Sequence, residues 1–189
     1  MQIENLYENQ VLASAILSFL VGCLEEKALA YVLKERRIQR LAWVQIIVTV
    51  TFLWLYGFSY EALRGICFCH VLNMTAVYDR ATYQIPNTFC ILLAMTGLII
   101  FQPLSAFIGL FVVSLPFCIA GIKGKMGGGD VKLMMASGFV LGLQRGFFMI
   151  LASLMAAVIG NWLMQKKEKI PLAPYFAVGG FLALFPFDK

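Results

Sequence analysis

Charge is scarce in this chain: 15 Lys and Arg and 10 Asp and Glu make up 13% of its 189 residues, while 61% are hydrophobic. An ordinary soluble domain has roughly 45–50% apolar and 25% charged residues. A soluble core of this size could not hide so much apolar surface, so the composition excludes a soluble globular protein and points to an integral membrane protein. Histidine is nearly missing, with His70 alone. The five cysteines, Cys23, Cys67, Cys69, Cys90 and Cys118, form no CxxC and all lie in or beside apolar stretches. Neither a zinc site nor a disulfide framework is expected from them; buried small hydrophobes are the simpler reading, and no cofactor is expected. The opening "MQIENLYENQ" lacks the basic region of a signal peptide, so no cleavable leader is expected. The net charge of +5 reads as loop asymmetry, and no nucleic-acid partner is expected.

What is present is a succession of apolar runs, at about 11–30, 41–60, 62–78, 88–101, 104–122, 131–143, 147–164 and 171–187. Crossing a bilayer takes roughly 20 helical residues, so the shorter runs suit helices that start inside the membrane or are re-entrant. The polar/apolar alternation of a barrel strand is missing. The expected fold is all-α, a polytopic membrane helix bundle of six to eight transmembrane helices in a single domain, 1–189. With "KERRIQR" (34–40) cytoplasmic and all eight runs crossing, twelve basic residues fall on the cytoplasmic side: Lys27, Lys34, Arg36, Arg37, Arg40, Arg80, Lys123, Lys125, Lys132, Lys166, Lys167 and Lys169. Only Arg64, Arg145 and Lys189 fall outside, the bias expected of cytoplasmic loops. Both chain ends are then outside.

Against this background the carboxylates stand out. Asp188 lies in the C-terminal tail, and the seven glutamates lie mostly toward segment ends or in loops. Asp79 and Asp130 remain, set against apolar helices and brought by the topology to the same cytoplasmic boundary. Two carboxyl groups close together cannot both ionise easily, so they share a proton. The ionised member can take a proton from water while the neutral one polarises a peptide carbonyl. Such residues in a membrane protein mark a functional site by default. Before Asp130 come Gly127, Gly128 and Gly129, which let a substrate strand or neighbouring helix approach the backbone closely. A turn followed by a helix-capping Asp130 accounts for the same residues. Pro86 suits the first turn of a fourth helix, and Asn87 a local hydrogen bond. Lys132 suits either a role beside the carboxylates or the topological bias alone.

At these residues the sequence resembles the type IV prepilin peptidases, the GxGD class of intramembrane aspartic proteases. The first matching motif is an aspartate, five residues and Ile-Pro-Asn: Asp79 and then Ile85-Pro86-Asn87. The second is GxGD with its hydrophobic-Lys-Leu tail: Gly127-Gly128-Gly129-Asp130-Val131-Lys132-Leu133. A looser third is "KIPLAPYFAVGG", Lys169 to Gly180. The resemblance implies an aspartic endopeptidase of the prokaryotic cytoplasmic membrane, with Asp79 and Asp130 catalytic and its active site facing the cytoplasm. It would remove the leader of prepilin-like membrane substrates. Gly127, Gly128, Gly129, Lys132, Pro86 and Asn87 would bind substrate. The segment "EEKALAYVLKERRIQR" lacks the paired CxxC motifs of bifunctional members, so methyltransferase activity is not expected and the chain resembles short forms serving Flp-type (tight-adherence) pili. Tyr78-Asp79 also matches the presenilin and signal-peptide-peptidase branch, whose Pro-Ala-Leu signature is missing here. The alternative from another class is a transporter or channel component in which Asp79 and Asp130 hold a cation or proton.

Overall fold

The computed structural model describes residues 2–34, 40–164 and 171–185. Arg36, Arg37, Lys166, Lys167, Lys169, Asp188 and Lys189 lie outside the described residues, as do the first two residues of the Lys169-to-Gly180 stretch. Among the described residues all regular structure is helical, in the order α1 (Gln2–Leu33), α2 (Leu41–Tyr56), α3 (Tyr60–Thr82), α4 (Asn87–Thr96), α5 (Pro103–Ile122), α6 (Gly128–Met164) and α7 (Ala173–Ala183). The apolar runs place these elements, and local chemistry sets their ends. Ser59 caps α3 by accepting from the Ala62 N–H at 3.2 Å. Pro103 stands in the first turn of α5, where its missing N–H costs nothing.

The bundle is built from antiparallel neighbours. Phe19 of α1 meets Trp43 of α2 with ring centroids 5.6 Å apart. Further along α2, Thr49 bonds the His70 Nε2 of α3 at 3.3 Å. The sixth and seventh apolar runs form one continuous helical element, α6, broken at Gly142. There φ is 71° and ψ is −168°, a conformation essentially restricted to glycine. The break is a reversal. A Cβ on Gly138 would lie 3.1 Å from the Cβ of Val113, and one on Gly146 would lie 2.6 Å from its Cγ2. Eight residues of straight helix would hold those glycines roughly 12 Å apart. The first half of α6 therefore runs back along α5, and the second half returns to meet α7, where Gly160 packs on the Tyr175 ring. With α6 counted as two arms, the eight apolar runs correspond to eight helical segments.

Small residues make these contacts possible. Gly109 of α5 faces the Gly138 carbonyl, and Gly179 of α7 faces Ser153 of α6. Close backbone approach of this kind is how helices associate where both lipid and side chains are apolar. The outer faces stay apolar and uncovered: Phe107, Phe111 and Leu115 on α5, and Leu151, Met155 and Val158 on α6 are all exposed. By length and composition Pro103–Ile122 is long and apolar enough to cross a membrane, as is Gly128–Leu163 when its two arms are taken as one element. In contrast, α4 has 10 residues and α7 has 11. Each is roughly half the length that a full crossing needs, as expected for the shorter runs.

The seam between α5 and the first half of α6 gives a test of this packing. A side chain on Gly109 would strike the Gly138 carbonyl and stand 2.7 Å from the Gly142 Cα. Gly109→Val should lower stability by about 1–3 kcal/mol, as overpacking does. Leu115→Ala, on the exposed side of the same helix, should leave the melting temperature in detergent nearly unchanged. Equal melting temperatures for the two variants would remove this seam from the account.

Candidate active site

Asp79 occupies the last turn of α3, which runs four residues beyond the apolar stretch that predicted it. Tyr83 then ends the helix in the left-handed region at φ 54°, its N–H donating to the Asp79 carbonyl at 2.7 Å. The side chain of Asp79 points into the protein and is 5% exposed. A buried carboxylate needs donors. It finds them at the start of α7, whose first N–H groups have no partner within their own helix. The Ala173 N–H donates to Oδ2 at 3.1 Å, and the Leu172 N–H donates as well. The positive end of the α7 dipole thus faces the carboxylate.

Asp130 lies in the first turn of α6 and is partly buried. Its own N–H donates to the Gly127 carbonyl at 3.1 Å, while its carboxylate accepts from the Gly127 N–H. Asp130 is the third residue of α6, inside the helix, so it does not stand at the N-cap position that the sequence offered for it; its carboxylate reaches back to the residue before the helix instead. The same carboxylate also faces Asp79 across a cleft of about 340 Å³ and interacts with it electrostatically. Gly127, Gly128 and Gly129 form one wall of that cleft, and the turn Tyr83, Gln84 and Ile85 forms the other.

The three glycines differ in their surroundings. A Cβ on Gly129 would stand 3.0 Å from the Ile85 Cβ and 3.4 Å from the Ile85 backbone N and O. Close approach is required there, but by the protein's own α3–α4 turn. A Cβ on Gly127 would lie 3.2 Å from the Asp130 Oδ2. Around Gly128 there is nothing within 4 Å. Gly128 and Gly129 are already helical, so the expected loop is confined to Gly127 and the residues before it.

The remaining candidates stand beside the cleft. Pro86 is the residue at which α4 begins, with φ −64°. Lys132 Nζ donates to Asn87 Oδ1 at 2.9 Å, which ties the second turn of α6 to the first turn of α4. Pro86, Asn87 and Lys132 therefore brace the two cleft walls and are not among the residues lining it. Sequence reasoning did not name Tyr83 and Gln84, and it carried Ile85, Leu172 and Ala173 only as parts of motifs, not as site residues. The signal for the last two was the proline-flanked "PLAP" at 171–174, which marks a helix start with free donors. His70 lies elsewhere, in a buried cluster where its Nε2 meets Ser18 and Thr49 and its Nδ1 meets Glu25 Oε1 at 3.4 Å. Nine residues of helix set it roughly 14 Å from Asp79 along α3. Among the described residues, no three His, Cys, Asp or Glu side chains come together as a metal-binding group.

Residues 66–161, which contain both aspartates, match the family described as the type IV leader peptidase family. Three curated proteins named prepilin leader peptidase/N-methyltransferase are similar to this chain. The Bacillus subtilis protein is 32% identical, over 68% of this chain and 57% of its own. The Xanthomonas campestris protein is 28% identical, over 74% and 55%, and the Stutzerimonas stutzeri protein is 30% identical, over 72% and 54%. The chain thus spans a little over half the length of these relatives. No solved structure matches it significantly. Two aspartates facing each other across one cleft, inside the region that carries the family match, lead to one assignment: the chain belongs to the type IV leader peptidase family.

Proposed function

We propose that this chain acts, as a single membrane domain over residues 1–189, as an aspartic endopeptidase that removes the leader of type IV prepilin-like precursors. Its substrates are of the Flp or tight-adherence kind or related to it, and cleavage takes place at the cytoplasmic face of the cell membrane. The observation that carries this reading is the cleft shared by Asp79 and Asp130. With one proton between them, the ionised carboxylate takes a proton from water and the water oxygen attacks the scissile carbonyl carbon. The protonated partner donates a hydrogen bond to the carbonyl oxygen, and the leaving amine then receives a proton. Backbone donors hold both carboxylates in place: Leu172 and Ala173 for Asp79, and Gly127 for Asp130. In this reading the precursor's apolar helix stays in the bilayer, and its extended leader lies along Gly127 and Gly128. Lys132, Asn87 and Pro86 serve substrate by bracing the wall against which it lies.

Purified protein in lipid, given a panel of prepilin-like precursors, should cleave at the end of the leader. Asp79→Asn and Asp130→Asn should each lower that cleavage by roughly 100-fold or more while leaving the fold intact, since each removes one half of the acid–base pair. Full activity in either variant excludes the pair as catalyst. A well-folded wild type that cleaves no precursor turns the reading toward cation or proton binding by the same carboxylates.

Two glycine variants separate substrate approach from wall packing. Gly129→Val should push the Ile85 turn away, lowering both the melting temperature and kcat, the latter by roughly 100-fold for a displacement on the order of 1 Å. Gly128→Val meets no neighbour and should leave the melting temperature unchanged while raising KM. An unchanged KM in Gly128→Val would take the substrate off that side of the cleft.

A further inference from the structure

Two of the basic residues that depart from the cytoplasmic bias, Arg64 and Arg145, come together in the fold. They line a cavity of about 510 Å³ with Glu61, Gln102, Ser105 and Gln144. Arg64 lies fifteen residues before Asp79 on α3, which puts the cavity roughly 22 Å along the helix from the cleft, toward the opposite end of the bundle. Three elements build it: the starts of α3 and α5, and α6 on both sides of its reversal, from Phe139 to Arg145. The guanidiniums of Arg64 and Arg145 interact with each other as like charges, and the single carboxylate of Glu61 acts on Arg64 in the opposite sense. Arg64 Nε is buried, and it is the only such side-chain nitrogen or oxygen without a hydrogen-bond partner among the described residues. A buried guanidinium donor left open costs free energy that an acceptor would recover.

We propose that this cavity binds a phosphate-class anion. Paired guanidiniums offer the planar, multiple donors that fit phosphate oxygens. The amide side chains of Gln102 and Gln144 and the hydroxyl of Ser105 add neutral donors. The helix starts of α5 and of the second arm of α6 add their positive ends. Two guanidiniums against one carboxylate leave a net positive charge for the anion to neutralise. The rim favours a phospholipid headgroup over a free ion, because Phe101, Leu104, Phe107 and Leu143 beside the cavity are exposed apolar residues along which acyl chains can lie. The cavity then seats a lipid at the end of the bundle remote from the two aspartates.

The test uses the whole protein, stripped of lipid in an uncharged detergent, and needs no peptidase assay. The probes are inorganic phosphate, phosphatidylglycerol, and diacylglycerol with the same chains. Phosphatidylglycerol should raise the melting temperature by roughly 5 °C at large excess over its Kd, and diacylglycerol should not. Arg64→Gln and Arg145→Gln should each weaken binding, read by native mass spectrometry of retained lipid, by roughly 10-fold or more. If Arg64→Gln does not fold, Arg145→Gln alone carries the comparison. A rise with inorganic phosphate alone identifies a free anion as occupant, and a rise that requires the lipid identifies a headgroup; either supports the site. The proposal is overturned if neither phosphate-bearing probe shifts the wild type, or if the double variant binds phosphatidylglycerol as the wild type does.

Discussion

A carboxylate buried at the end of an apolar helix has to be met by donors, and for Asp79 those donors come from the far end of the sequence. Leu172 and Ala173 supply them through backbone N–H groups that a helix start leaves free. This one requirement fixes where α7 begins relative to α3. The rest of α7 then packs its small residues, Gly179 and Gly180, against Ser153 of α6 and against Phe68 and Leu72 of α3. The end of α3 that carries Asp79 is thereby held from two sides, by the α7 start and by the Tyr83 turn. Asp130 needs no remote partner because the Gly127 N–H caps it locally.

Reaching α7 in time depends on the reversal at Gly142. Were α6 straight, its course from Asp130 to Met164 would carry the chain roughly 51 Å away. Folded back, it returns the chain to the end of the bundle where both carboxylates lie. The backbone angles at Gly142 suit glycine alone, and the neighbouring Gly109 and Gly138 let the arms of the hairpin and α5 approach at backbone distance. Packing on this scale suits a medium in which burial of apolar side chains supplies little difference between protein and surroundings.

The sequence disclosed the helical class, the sites of the helices, and the two aspartates on one side of the bundle, because composition and apolar runs report apolar helices directly. It did not disclose which groups would touch. Lys132 was open to two roles, and its bond to Asn87 depends on how α4 crosses α6, which no local pattern encodes. Gly129 carried the signal of a close approach, but the approaching partner, Ile85, is known only once the turn after α3 is placed. The third motif matched loosely in sequence, and its function as a donor to Asp79 emerges from a contact 94 residues long. Arg64 and Arg145 were legible as departures from a charge bias; their meeting in one cavity was not.

The three glycines before Asp130 leave the cleft lopsided. On the Gly129 side the Ile85 turn already fills the space, and on the Gly128 side there is nothing within 4 Å. The cleft therefore has a filled flank and a bare flank. A guest that fits it must be lopsided in the opposite sense: slender where Ile85 sits, and free to be bulky where Gly128 is bare.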